Sequence, residues 1–99
     1  MVTAKNVVWT EAAKKDLYHI YTRIAGKSTA RAKEVAQSIL SKTASLHTDY
    51  PQGTPEPLLK RESEPYKFVT ASFYKILYSI VEEKVMITTL YHVSQDPVV

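Results

Sequence analysis

Basic and aromatic side chains alternate over the C-terminal half of this 99-residue sequence, and these are the residue types best suited to chemistry. Lysine holds a phosphate as a point charge, tyrosine offers a face on which a base can stack, and histidine moves a proton near neutral pH. A surface built from them could bind RNA and, with proton transfer, cleave it through the 2′-hydroxyl. The candidates are Lys60, Arg61, Tyr66, Lys67, Tyr74, Lys75, Tyr78, Tyr91 and His92.

A purely structural interpretation of the same residues competes with this one. Lysines on a solvated sheet face are common, tyrosine is a favoured strand residue, and a lone histidine at a strand end is usually structural. The geometry also depends on one turn, because successive strand residues face opposite sides of a sheet. With Ala71-Ser72 as a two-residue turn, Lys67 and Lys75 face opposite sides. With a three-residue turn they face the same side.

Other kinds of site find little support in the sequence. The absence of cysteine excludes disulfides, thiolate metal sites and a cysteine nucleophile. Gly26 and Gly53 are the two glycines, and neither lies in the strand–glycine–helix context of a phosphate-binding loop. His19, His47 and His92 are far apart, so no zinc-binding helix pair is present. We expect neither a metal nor a cofactor.

Composition and charge set the general class of protein. The hydrophobic fraction of 44% and the charged fraction of 23% are ordinary for a globular protein. A formal net charge of +3 gives a mild preference for polyanions or an acidic partner. No signal peptide or membrane span is evident, so we expect a cytoplasmic protein without a membrane partner. The length suits one domain, residues 1–99, with any site on an open surface.

Periodicity predicts a short strand and then two helices in the N-terminal half. Strand formers over residues 5–9 precede Thr10, whose side chain can cap a first helix. Gly26 is placed to end that helix in a left-handed conformation, and Ser28 or Thr29 caps a second one. Apolar residues recur every three or four positions in both helices, so each helix has one face to bury. Those faces hold Ala13, Leu17, Ile20, Tyr21 and Ile24 in the first helix and Ala32, Val35, Ala36, Ile39, Leu40, Thr43 and Leu46 in the second. Outside the first face, and expected in solvent, are Lys14, Lys15, His19 and Arg23.

The C-terminal half is predicted to be a three-stranded meander. Three prolines and Gly53 within residues 49–57 exclude a helix or a strand ladder there, so this segment is a crossing loop. Short connections make neighbouring strands antiparallel. The sequence therefore predicts an α+β fold, with an N-terminal strand and a two-helix antiparallel hairpin packed on an antiparallel sheet. Strands are expected at 66–70, 74–81 and 85–92, with turns at 71–73 and 82–84. Their apolar residues are Phe68, Phe73, Ile76, Leu77, Ile80, Val85, Ile87 and Leu90.

Several short motifs, in order over residues 5–97, resemble the RelE/ParE superfamily of bacterial type II toxin–antitoxin toxins, also called plasmid stabilisation proteins. The first opens the first helix, the next follows the second helix, and the last three overlap the predicted strands. The ending is similar to the family's closing His-x-Arg-x-Asp-Pro. The motifs are Val8-Trp9-Thr10-Glu11-Ala12-Ala13, Pro51-Gln52-Gly53 with Glu56-Pro57, Tyr66-Lys67-Phe68, Phe73-Tyr74-Lys75-Ile76-Leu77-Tyr78-Ser79-Ile80, and Leu90-Tyr91-His92-Val93-Ser94-Gln95-Asp96-Pro97.

This resemblance implies the fold described above, a cognate antitoxin as partner, and a growth-inhibiting activity. In the RelE branch the toxin enters the ribosomal A site and cuts mRNA without a metal. In the ParE branch the target is DNA gyrase, and the nuclease residues are generally missing. The present sequence departs from the nuclease pattern, because Lys67 and Lys75 stand where arginine is frequent and Ser94 replaces the closing arginine. That replacement removes a bidentate, permanently charged phosphate ligand.

Three functions are consistent with these residues. In a ribosome-dependent nuclease, Lys67 and Lys75 would bind the scissile phosphate and His92 would protonate the leaving 5′-oxygen. Lys60, Arg61 and Tyr91 would then add RNA contacts. The alternatives are a gyrase inhibitor that acts by binding without catalysis, and a decayed homologue that has neither activity.

Overall fold

Two helices and a five-stranded sheet form the computed structural model, which describes residues 4–52, 54–55 and 66–94. The helices follow the first strand, and the other strands come after them in the chain. A short 3-10 turn over Tyr50–Gln52 ends the second helix. The strands are β1 (Asn6–Trp9), β2 (Thr54–Pro55), β3 (Lys67–Ala71), β4 (Tyr74–Val81) and β5 (Lys84–His92), and the helices are α1 (Glu11–Ala25) and α2 (Thr29–Asp49).

Both predicted helix starts are confirmed by their capping bonds. The Thr10 side chain accepts a hydrogen bond from the backbone N–H of Ala13 at 3.2 Å. The Thr10 hydroxyl also donates to the carbonyl of Ile87 at 2.9 Å, so the same residue caps α1 and attaches it to β5. Ser28 caps α2 by accepting from the N–H of Arg31 at 3.1 Å. Each cap supplies a partner for a backbone donor that the first turn leaves free.

The expected left-handed end of α1 is wrong. Gly26 has φ −60° and ψ −24°, which is ordinary right-handed helical backbone. The chain leaves the helix through a tight turn, in which the N–H groups of Lys27 and Ser28 both donate to the carbonyl of Ile24 at 2.9 Å. These bonds satisfy the end of the helix without a left-handed residue.

The sheet has the strand order β1-β5-β4-β3-β2 and is mixed. The predicted meander of β3, β4 and β5 is antiparallel, but β1 pairs with β5 in parallel, from Asn6↔Lys84 to Trp9↔Ile87. A parallel neighbour requires a long crossover, and the helical hairpin begins that connection. The expectation of an antiparallel sheet is therefore correct for the meander and not for the edge strand.

The proline-rich segment also differs from its prediction as an unpaired loop. Thr54 and Pro55 form β2 and pair with Phe68 and Lys67 of β3. A proline is tolerated there because, in the part of the chain that the structure describes, β2 is an edge strand with no further neighbour requiring an N–H. Of the predicted loop, residues 53, 56 and 57 lie outside the described residues.

The core lies between the helical hairpin and one face of the sheet. Two apolar residues expected there are exposed instead: Leu40 on α2, at 47%, and Phe73 in the β3–β4 turn, at 67%. Phe68 and Leu77 are paired with each other on the opposite face, because they alternate with the core residues Val69 and Ile76. The buried cluster consists of Ala13, Ile20, Val35, Ile39, Leu46, Tyr74, Ile76, Tyr78, Val85, Ile87 and Leu90.

Candidate functional site

His92 ends β5 on the side of the sheet that faces the helices. Its register partner is Tyr74, and the two rings meet edge to face with their centroids 5.3 Å apart. The next residue, Val93, donates its N–H to the carbonyl of Phe73 at 2.9 Å, which holds the chain beside the β3–β4 turn after the strand has ended. His92 is half-buried, so its ring has a fixed environment and remains accessible.

Ser94 determines which nitrogen of His92 carries the proton. The backbone N–H of Ser94 donates to Nδ1 at 3.1 Å, and the Ser94 hydroxyl lies 2.8 Å from the same nitrogen. An Nδ1 that accepts from a backbone N–H cannot carry a proton of its own, so the neutral ring has its hydrogen on Nε2. Ser94 thus orients the histidine, at the position where the resemblance led us to expect an arginine.

The region around His92 includes residues of α1, of which His19 and Arg23 were expected in solvent and are exposed. Asp16, His19 and Arg23 line a cleft of about 170 Å³ together with the end of β5. They lie there because α1 packs on β5, which brings one side of the helix against the strand end. His19 and Arg23 are four residues apart and Asp16 is seven from Arg23, spacings that share a helix face with buried Ile20. This spacing is the feature of the sequence that could have placed the three side chains together. The full lining is Asp16, His19, Ile20, Arg23, Tyr74, Leu90, Tyr91 and His92.

Lys75 lies on the other face of the sheet. Its Nζ is 4.3 Å from the centroid of the Phe68 ring and 5.8 Å from that of Tyr91. These are cation–π distances, and the side chain is half-buried between the two rings. Tyr91, a predicted RNA contact, is therefore next to Lys75 as well as in the lining of the His92 cleft.

Lys67 faces the helices, so the structure separates the two lysines. The β3–β4 turn consists of Ser72 and Phe73, and the pairs Lys67↔Tyr78 and Thr70↔Lys75 place the lysines on opposite faces. The Nζ of Lys67 donates to the carbonyl of Pro51 at 3.3 Å, beyond the C-terminal end of α2. A two-residue turn was predicted to place the lysines on opposite faces, and it does. The turn consists of Ser72-Phe73, one residue later than the Ala71-Ser72 turn considered in the sequence analysis. The other predicted RNA contacts, Lys60 and Arg61, lie outside the described residues.

A second surface lies over the two helices. An apolar groove of about 450 Å³ runs between α1 and α2, with Trp9 at one side. Two of its large side chains are exposed, Tyr18 at 65% and Leu40 at 47%. Lys14 at the groove forms an exposed ion pair with Glu11, with Nζ and Oε2 3.4 Å apart. The lining consists of Trp9, Lys14, Leu17, Tyr18, Tyr21, Ala36 and Leu40.

In residues 4–52, 54–55 and 66–94, no three His, Cys, Asp or Glu side chains converge as metal ligands would. Neither described helix combines the length and the apolar character needed to cross a membrane.

The helical hairpin, the sheet and the two surfaces define a small α+β domain of the RelE/ParE toxin type. The family model described as the ParE toxin of the type II toxin–antitoxin system parDE matches residues 7–97. The chain belongs to the ParE toxin family.

Solved structures support the same fold. Of nine solved chains that match significantly, one comes from the chromosomal ParDE toxin–antitoxin system of P. aeruginosa. It superimposes with a TM-score of 0.74 at 18% sequence identity, over 91% of this chain and 97% of that chain. None of the curated proteins is significantly similar in sequence.

Proposed function

We propose that this ParE-family toxin inhibits growth by binding DNA gyrase, without catalysis. The observation that carries the proposal is the position of Lys67 and Lys75 on opposite faces of the sheet. Cleavage of a phosphodiester requires cations and a proton donor around one phosphorus atom. Two lysines separated by the sheet cannot both bind that group. Gyrase is the target that the ParE resemblance implies, and it places the action of the toxin in the cytoplasm.

The local contacts of the predicted nuclease residues support the same proposal. Lys67 donates to a backbone carbonyl on the helix side, and Lys75 packs between two aromatic rings on the other side. Ser94 provides no permanent positive charge near His92. A catalytic site assembled from these groups would need a large rearrangement of the sheet.

Ribosome-dependent cleavage of mRNA is the second candidate, and one observation favours it. His92 lines an accessible cleft, and a protonated imidazole at this place could give its Nε2 proton to a leaving oxygen and become neutral. A nuclease of this kind would depend on His92 for that proton.

Primer extension on messages from cells that express the toxin tests the choice between the two functions. A binding toxin leaves the messages uncut, and His92→Ala leaves growth inhibition unchanged. A nuclease cleaves the messages, and His92→Ala lowers the extent of cleavage by roughly 10²-fold, the usual contribution of a general acid. That result would replace the gyrase proposal with the nuclease.

We also propose that the apolar groove between α1 and α2 binds a segment of the cognate antitoxin. An amphipathic segment with acidic residues fits the groove, because its lining is apolar and the chain carries a net charge of +3. Exposed Tyr18 and Leu40 are the kind of large side chains that such a segment covers.

A charge introduced into the groove tests the antitoxin proposal. Leu40→Glu is expected to weaken binding of the protein encoded by the adjacent gene by at least about tenfold, because a carboxylate would be buried in an apolar contact. Gln37→Glu is the matched control, since Gln37 is exposed on α2 and lies outside the groove lining. Equal affinity of the two variants would mean that the antitoxin binds elsewhere.

A further inference from the structure

We propose that the cleft between α1 and the end of β5 binds a phosphate group of a nucleic acid, with Arg23 as the main ligand and His19 and His92 as additional donors. This site is independent of the gyrase proposal, which assigns no nucleic-acid contact to the toxin. It also involves neither Lys67 nor Lys75.

The cleft brings together donors from two elements. Arg23 and His19 are one helical turn apart on α1, and His92 enters from the end of β5. Buried Ile20 and Leu90 contribute apolar lining, and His19 and Arg23 are exposed at the mouth of the cleft. The volume of about 170 Å³ suits a phosphate group. Pockets for drug-sized ligands measure roughly 300–1,000 Å³, so a base and sugar would remain outside.

Arg23 is the residue best suited to bind the anion. Its planar guanidinium presents paired N–H donors that match two phosphate oxygens. Within the described ranges, Arg23 forms no ion pair with an acidic side chain. His92 adds an Nε2–H donor, because Ser94 occupies its Nδ1.

Asp16 is the opposing charge in the cleft. Its Oδ2 accepts hydrogen bonds from the Thr89 hydroxyl at 2.6 Å and from the N–H of Leu90 at 3.0 Å, which hold the carboxylate against the edge of β5. The negative charge of this carboxylate opposes that of Arg23 in the same lining.

Fluorescence anisotropy with labelled single-stranded RNA and DNA of about 12 nucleotides, within the usual range of site sizes, measures the binding. Arg23→Gln in the full chain is expected to weaken binding to both by roughly tenfold, the loss typical of one charge-assisted contact. Arg31→Gln is the control, because it removes the same charge from an exposed position in the first turn of α2. Its affinity is expected to change less than about twofold, as for a screened distant charge.

A titration with inorganic phosphate, followed by the imidazole ¹⁵N resonances, locates the site. Shifts of both His19 and His92, with RNA and DNA bound equally or RNA bound more tightly, support the proposal. Equal losses in Arg23→Gln and Arg31→Gln, or unshifted imidazoles, would overturn it. Tighter binding of a glutamate-rich peptide than of either strand would also overturn it and assign the cleft to an acidic protein segment.

Discussion

Asp16 is predicted to be an important stabilising contact between the helical hairpin and the sheet. Pairing of β1 with β5 ends at Trp9↔Ile87, so the next part of that edge of β5 has no strand partner among the described residues. Asp16 bonds to this edge through Thr89 and Leu90, at 2.6 and 3.0 Å. The same part of β5 contains the register shift opposite Leu77 and Tyr78, where regular strand pairing is interrupted.

The size of the effect follows from these two bonds. A hydrogen bond to a charged group contributes about 1.5–3 kcal/mol when buried. Because Asp16 is half-buried, solvent screening reduces each bond to the low end of that range or below. Asp16→Ala is therefore expected to lower the free energy of unfolding by about 2–3 kcal/mol, and Asp16→Asn by about 1 kcal/mol, since the amide keeps one neutral acceptor.

Urea unfolding of the purified variants measures these differences. Glu34→Ala is the control, because Glu34 is exposed on α2, and its change is expected to stay within about 0.5 kcal/mol. A double-mutant cycle of Asp16→Ala with Thr89→Val should give a coupling of about 1 kcal/mol. If Asp16→Ala behaves like Glu34→Ala, the two bonds do not stabilise the fold.

Core packing and turn geometry give two further predictions. Ile39→Ala is expected to lower the free energy of unfolding by about 2–5 kcal/mol, because Ile39 is fully buried. Leu17 is half-buried, so Leu17→Ala is expected to lower it by only about 1–2 kcal/mol. Equal losses for the two variants in thermal unfolding would contradict the packing of α1. Ser72 and Phe73 have φ of 50° and 69°, a left-handed turn that costs a bulky residue about 1–2 kcal/mol. Replacing the pair with Asn-Gly should raise stability by about 0.5–1 kcal/mol after the entropy of the new glycine in the unfolded chain is subtracted, and a lower melting temperature would refute that reasoning.

Local patterns were sufficient to predict both helices and the antiparallel meander. Thr10 and Ser28 marked the helix starts, and alternating strands separated by short turns gave the meander. The parallel pairing of β1 could not be predicted in this way, because it depends on where the chain returns after the helices. Pro55 in a strand was missed because a proline is acceptable only once the strand is known to be at an edge.

The candidate site was predicted in part. His92 was identified, whereas Asp16 was not singled out, and His19 and Arg23 were expected only to be exposed, as they are. Which neighbour approaches the side of a helix is decided by tertiary packing and not by periodicity.

The relation between Lys67 and Lys75 depended on one turn. The Ser72-Phe73 turn lacks the Asn-Gly or Asp-Gly signal of a two-residue hairpin. The sequence therefore left both turn lengths open, and the register of the sheet was needed to place the lysines on opposite faces.

Inhibition of DNA supercoiling by purified gyrase tests the central proposal most directly. The wild-type toxin and His92→Ala are added separately to gyrase and relaxed plasmid, with an equal amount of toxin already bound to its antitoxin as the control. A toxin that binds gyrase blocks supercoiling in both forms, and the antitoxin complex does not, because the toxin is sequestered. Undiminished supercoiling in the presence of excess wild-type toxin, together with cut messages in cells that express it, would contradict the proposal.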